Sequence, residues 1–311
     1  MINKSFNIEL LNFRHELDFF TNLYLKNKLP QTILLAGEKG IGKLNFSYHL
    51  VNFILSQNEE DKYDLKLYRI NQNNKTFNLL SQNIHPNFHI ISPNENKNNI
   101  DLNQIKKMQN YLNMSSFNNL PKIVLLNESE NLNLSSANSL LKSLEEKYEN
   151  VFFILIHDIK KNLLSTIKSR CVQFKFILKE NEKIKKINEI LNNQYDKLSL
   201  DFKNKYLSPI FYNDLLDYCK KNDLEIDKVD LNALFSNIFS KQNLRKDEFV
   251  FNYFILLIQL FMHKYFQNNS NNPKYFSLLN YFTQRYADVV KYNLDFESYV
   301  LEFKYSVYNE K

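Results

Sequence analysis

All three glycines of this 311-residue chain fall within six positions, in the stretch Leu35-Ala36-Gly37-Glu38-Lys39-Gly40-Ile41-Gly42-Lys43. A chain that dispenses with glycine elsewhere has kept it at one tight turn. Glycine takes positive φ freely and lets backbone amides approach a bound group closely. An apolar run, residues 32–36, leads into the cluster, and residues 43–55 follow with helical periodicity. The segment therefore reads as strand, turn and helix. The spacing Gly37-x-x-x-x-Gly42-Lys43 is that of a phosphate-cradling loop, with Lys43 placed to reach the outer phosphate oxygens. Such a loop continues with Ser or Thr, whose hydroxyl holds Mg²⁺, whereas this chain has Leu44. Two readings stay open: a loop that still binds phosphate without its metal ligand, and a tight turn that binds nothing.

The rest of the first half alternates strands and helices. Strands are expected at 87–91, 122–126, 151–156 and 172–176, and helices at 101–114 and 135–146. Asp101 and Gln104 have the spacing of a capping box. The polar stretch 57–83 reads as a loop-rich excursion. This order argues for an α/β fold with a parallel sheet and crossover helices. After Lys179 only helices are expected, at 180–191, 213–220, 231–239, 246–266, 274–290 and 296–307. Pro209 and the Asn-rich tract 268–273 punctuate them.

Composition excludes several classes. With 44% hydrophobic and 14% aromatic residues the chain is globular. The scarcity of Gly and Trp beside abundant Asn, Lys and Ile looks like coding bias. A net charge of +6 permits contact with nucleic acid without arguing for it. Cys171 and Cys219 lie far apart and lack CxxC spacing, which excludes a disulfide framework or a four-cysteine zinc site. A reducing cytoplasm is the expected compartment. The N-terminus lacks the apolar run of a signal peptide, and 249–262 is too short to span a bilayer.

A second element follows the strand 122–126: Asn127-Glu128. In a nucleotide-hydrolysing loop protein this strand ends in Asp, which helps hold Mg²⁺, often followed by a Glu that polarises water. An Asn carries no charge and replaces a hard anionic ligand poorly. With Leu44, both protein contacts to the metal are missing, so no metal site is expected and Glu128 has no metal to work beside.

The third element is Leu163-Leu164-Ser165-Thr166-Ile167-Lys168-Ser169-Arg170-Cys171. Here the chain resembles the clamp-loader subunits of bacterial replicases, within the AAA+ superfamily. Those proteins carry Ser-Arg-Cys, matched by Ser169, Arg170 and Cys171. They share His-Pro before the second strand, matched by His85-Pro86. They also share Ala-Asn-x-Leu-Leu-Lys-x-Leu-Glu-Glu, matched from Ala137 to Glu146. The resemblance covers about residues 5–220, and the later helices by topology only.

The resemblance implies an AAA+ domain over 1–179, a small helical lid over 180–221 and a helical collar for oligomerisation over 222–311. It implies an arginine finger at Arg170, oriented by Ser169, acting in trans on a neighbouring subunit's ATP. Two kinds of subunit look alike here. The motor subunits (gamma/tau) have an intact phosphate loop, an Asp at the second element and usually four zinc-binding cysteines. The delta-prime kind has a degenerate loop and does not hydrolyse ATP, and many of its members carry the cysteines too. Leu44 and Asn127 make this chain resemble the delta-prime kind of DNA polymerase III clamp loader. The implied partners are the motor and delta subunits, and indirectly the sliding clamp and primer-template DNA. No cofactor of its own is implied, and the stretch 57–83 has no Cys to hold zinc. Gly37, Gly40, Gly42 and Lys43 are then a relic of the nucleotide loop. The competing readings are an active AAA+ ATPase of the gamma/tau type and a helicase-loader relative.

Weaker signals have plainer explanations. His49 and His157 are expected as satisfied core histidines. Cys171 is expected to point into the core, the aromatics of 249–254 to pack between helices, and Lys106 and Lys107 to form a solvated helix face.

Overall fold

The computed structural model describes residues 7–94, 98–114, 116–203, 207–266 and 273–308. The first six residues and 268–272 of the Asn-rich tract lie outside them. The chain divides into two compact units, Met1–Glu182 and Lys183–Lys311.

The first unit is built on five parallel strands, β1 (Thr32–Gly37), β2 (Phe88–Ile91), β3 (Lys122–Leu126), β4 (Val151–Asp158) and β5 (Val172–Lys175), in the order β2-β3-β4-β1-β5. Helices α1 (Arg14–Leu25), α2 (Lys43–Leu55), α3 (Lys75–Ser81), α4 (Leu102–Leu112), α5 (Leu134–Glu145) and the short α6 (Ser165–Lys168) surround it. Alternation along the strands feeds two cores. Ile33, Leu35, Ile123, Leu125, Ile154 and Ile156 pack with the side chains of α1, α2 and α3. Leu34, Val124, Leu126, Phe153 and Leu155 pack with those of α4, α5 and α6. A sheet covered on both faces explains why β3 and β4 read as unbroken apolar runs. Each such side chain, withdrawn from water, contributes about 1.5–3 kcal/mol.

Local chemistry fixes the ends of these elements. The capping box is formed: the Gln104 amide donates to Asp101 Oδ1, and the Asp101 amide to Gln104 Oε1. The buried Lys122 Nζ donates to the carbonyls of Tyr111, Leu112 and Met114, capping the C-terminus of α4. Asparagine does the work that glycine does elsewhere. Ten of the fourteen non-glycine residues with positive φ among those described are Asn, whose short polar side chain tolerates that conformation.

The stretch 57–83 is loop-rich as expected, with one short helix. It contains α3, capped by Asn74, whose side chain also bonds that of Asn52 on α2. Tyr63, Ile70 and Leu80 are buried in the core beside α2. Helix α1 is not singled out by sequence patterning, because Phe19 and Leu25 leave apolar surface exposed.

The second unit is helical. After α7 (Glu180–Ile190), whose first residues belong to the sheet unit, come α8 (Pro209–Lys221), α9 (Leu231–Phe239), α10 (Glu248–Phe266), α11 (Pro273–Tyr292) and α12 (Phe296–Phe303). Pro209 opens α8 at its first turn rather than separating helices. One core runs from Ile187 through Phe211, Phe235, Phe254 and Phe261 to Phe303. Residues on both sides of position 221 share it. The aromatics of 249–254 pack between helices as expected: Phe254, for instance, meets Phe235, Phe296, Tyr299 and Phe303. Among the described residues no helix is long and apolar enough to cross a membrane.

Candidate functional site

β1 and β4 are neighbours, yet their outgoing chains leave toward opposite edges of the sheet, β1 to β2 and β4 to β5. In open α/β sheets the crevice at the carboxyl end of such a pair is where ligands bind. The glycine loop sits there, and each glycine has its own reason. Gly40 and Gly42 take φ of 83° and 108°. Gly37 is required for space, since a Cβ on it would stand 2.5 Å from the Phe176 carbonyl oxygen and 2.8 Å from Ile41 Cδ1. Gly42 caps α2, and Lys43 is that helix's first residue.

Lys43 is buried and turned back on its own loop. Its Nζ donates to the carbonyl oxygens of Gly37 and Glu38, both at 2.6 Å. Burial pulls its pKa from 10.5 down to about 8, against the opposing pull of Asp158, Glu130, Glu38 and Glu128. Four carboxylates thus favour the charged form of Lys43. Lys39 and Lys160 screen two of them: Lys39 Nζ is 3.0 Å from Glu128, and Lys160 Nζ is 3.3 Å from Glu38.

Nothing in the sequence pattern signals the floor of this crevice. β4 ends in His157-Asp158, and Glu130, from the turn after β3, lies beneath it. Glu130 Oε2 accepts from the Asp158 amide at 3.1 Å and is 3.4 Å from His157 Nδ1. Burial works against the Glu130 carboxylate, but these contacts prevail and its pKa is lowered. Glu130 Oε1 is buried without a partner. His157 is buried as expected, and it lies at the crevice rather than within a uniform core.

The residues present do not fit a bound magnesium nucleotide. Leu44 packs against the core beside α2. Asn127 follows β3 directly and offers only an uncharged amide. Glu128 has positive φ (52°) and is engaged by Lys39 and by Asn131 Nδ2 at 2.8 Å. Among the described residues no three His, Cys, Asp or Glu side chains converge to hold a metal ion.

Arg170 stands elsewhere. Val172, two residues after it, pairs with Ile33 at the start of β1, while Gly37 closes the other end of that strand. The two therefore sit toward opposite ends of the sheet, with four residues of β1, roughly 13 Å of strand rise, between the level of Val172 and that of Gly37. An arginine side chain does not bridge that distance, so Arg170 cannot serve its own loop. Ser169 caps α6, and its Oγ donates to Thr166 O at 3.0 Å. Arg170 Nη1 donates to the same oxygen at 2.8 Å. Cys171 is half-buried against the core formed with α4, α5 and α6. Burial pushes its thiol up to about 12, which removes it as a nucleophile.

A model of the protein family described as DNA polymerase III, delta subunit, matches residues 14–180, more than half of the chain. The chain belongs to that family. The match runs from the first residue of α1 to the first residue of α7, so it covers the sheet unit, the loop and Arg170 together. The chain is thus a member of the clamp-loader subunit family of DNA polymerase III, and its sheet unit has the expected α/β fold with a parallel sheet. No curated protein matches the sequence. Among solved structures, a DNA polymerase III, gamma subunit-related protein from Thermotoga maritima is similar over 91% of this chain and 96% of that one, at 17% identity and a TM-score of 0.47. The Thermotoga maritima RuvB Holliday junction branch migration motor is similar over 83% of this chain and 80% of its own, at 12% identity and a TM-score of 0.38.

Proposed function

We propose that this family member is a delta-prime subunit: a non-hydrolysing stator of the clamp loader that lends Arg170 to a neighbouring motor subunit. The observation that carries the reading is the placement of Arg170 at the end of the sheet opposite its own glycine loop. A guanidinium there serves a nucleotide only on another chain. It is permanently charged and offers a planar fork to phosphate oxygens, and a finger supplied in trans accelerates phosphoryl transfer by ~10³ to 10⁵.

The loop supports the other half of the reading. Lys43 is bonded to its own loop carbonyls, and the two magnesium-holding positions are Leu44 and Asn127. A subunit that does not cycle through nucleotide states has no need of those ligands. On this reading the chain carries no zinc and no ATP of its own, and the motor subunits bind the nucleotide. Residues 180–221 act as lid and 222–311 as collar, joining this chain to the motor and delta subunits in the cytoplasm. Sliding clamp and primed DNA are met through the assembly.

The competing reading, an active gamma/tau-type ATPase, draws on the retained glycine geometry and Lys43. An ATP hydrolysis assay on the purified chain with Mg²⁺ separates the two. The stator gives no turnover above background. Turnover that Lys43→Ala abolishes would overturn it.

A further inference from the structure

We propose that Glu145 is the positioning residue of Arg170, an inference that rests on the arginine-finger reading above. Glu145 is the last residue of α5, and Arg170 follows α6. Arg170 Nε donates to Glu145 Oε1 at 2.8 Å, and Nη2 donates to the same oxygen. Nη1 donates to Thr166 O, which also accepts from Ser169 Oγ. The guanidinium is therefore gripped from two directions by groups on α5 and α6.

What the grip leaves open decides its role. A guanidinium has five N–H donors. These contacts use the Nε hydrogen, one on Nη2 and one on Nη1. One hydrogen remains on each terminal nitrogen to donate to phosphate oxygens. A carboxylate blocking the finger would take the terminal Nη1 and Nη2 edge. Glu145 takes the side edge, through Nε and Nη2. It thereby fixes the plane and direction of the group without covering the edge that meets phosphate. Arginine carries large rotamer freedom, and ordering it before the phosphate arrives removes that penalty from the binding event. Both side chains are substantially exposed, so the pair adds little to fold stability and its loss leaves the fold intact.

The test uses the reconstituted clamp loader containing wild-type chain, Glu145→Ala, Glu145→Gln, Arg170→Ala or the double variant, with steady-state ATP hydrolysis as readout. Glu145→Ala is expected to lower kcat about tenfold or more with little change in KM for ATP, as misplacement of a catalytic group does. Glu145→Gln keeps an oxygen acceptor of the same shape and is expected to recover part of that loss. In the Arg170→Ala background, Glu145→Ala is expected to add nothing. Wild-type kcat for Glu145→Ala, beside a reduced kcat for Arg170→Ala, overturns the positioning role and leaves the finger standing. A raised kcat for Glu145→Ala makes Glu145 an inhibitory latch and overturns it equally. Wild-type kcat for Arg170→Ala removes the finger and this proposal with it.

Discussion

Lys43 Nζ lies 2.6 Å from the carbonyl oxygen of Gly37, the residue that opens its own loop. The cation that the motif positions for a ligand is bonded to the motif itself and feels the charge of four carboxylates. This makes the loop a closed electrostatic unit, and its charge state governs part of the stability of the sheet unit.

The Lys43 ammonium is destabilised by burial, so its pKa drops from 10.5 to about 8. Between those values the unfolded chain still holds a proton that the folded chain has released. Stability from this group therefore rises as pH increases through that window and is lowest below about pH 8. The shift corresponds to about 3 kcal/mol at full extent. Lys43→Met is expected to raise stability at pH 7 and to flatten the rise above pH 8. Urea unfolding of both proteins at pH 7 and pH 10 measures it. Parallel pH dependence in the two would contradict the assignment.

Gly37→Ala tests why the first glycine is needed. Its added Cβ meets the Phe176 backbone oxygen, which cannot rotate away as a flexible side chain does. The overpacking is expected to cost about 1–3 kcal/mol. A thermal melt with an unchanged midpoint would show that the strand ends move apart freely.

The sheet unit is expected to lose stability in mild acid. His49 is fully buried, within hydrogen-bond distance of the Tyr63 hydroxyl and the Asn7 carbonyl, and burial lowers its pKa from 6.5 to about 4. His85 is lowered to about 4 by burial as well. As pH falls from 6.5 toward 4 the unfolded chain takes up protons that the folded chain refuses. The stability from each neutral imidazole is present above 6.5 and is lost across that window, about 3 kcal/mol per group at full extent. His49→Gln is expected to shrink the loss between pH 6.5 and 4, followed by urea midpoints at the two values. An undiminished loss would place the acid sensitivity elsewhere.

Much of the sheet unit is legible in the sequence because its strands are continuous apolar runs and its loop glycines are unmistakable. Helix α4 is legible because Asp101 and Gln104 announce its start. The packing of the stretch 57–83 is not, since Tyr63, Ile70 and Leu80 are isolated apolar residues whose burial depends on α2 lying over them. The crevice floor is hidden for a similar reason. Glu130 and Asp158 lie 28 residues apart and look like ordinary polar ends of strands, and only the β3-β4 pairing brings them together. Arg170 and Glu145 both stand in recognisable motifs. That Arg170 lies far from the glycine loop follows from the parallel register of β1 and β5, and that Glu145 grips it appears only once α5 and α6 are folded together.

The most direct test of the account is ATP turnover by the reconstituted clamp loader carrying Arg170→Ala, with assembly followed by sedimentation. The variant is expected to assemble like the wild type, because Arg170 is exposed and contributes little to folding. Its turnover is expected to fall, by about 10³-fold at the site the finger serves. Full assembly with wild-type turnover would contradict the claim that this chain's chemistry is performed by Arg170 on another subunit's nucleotide.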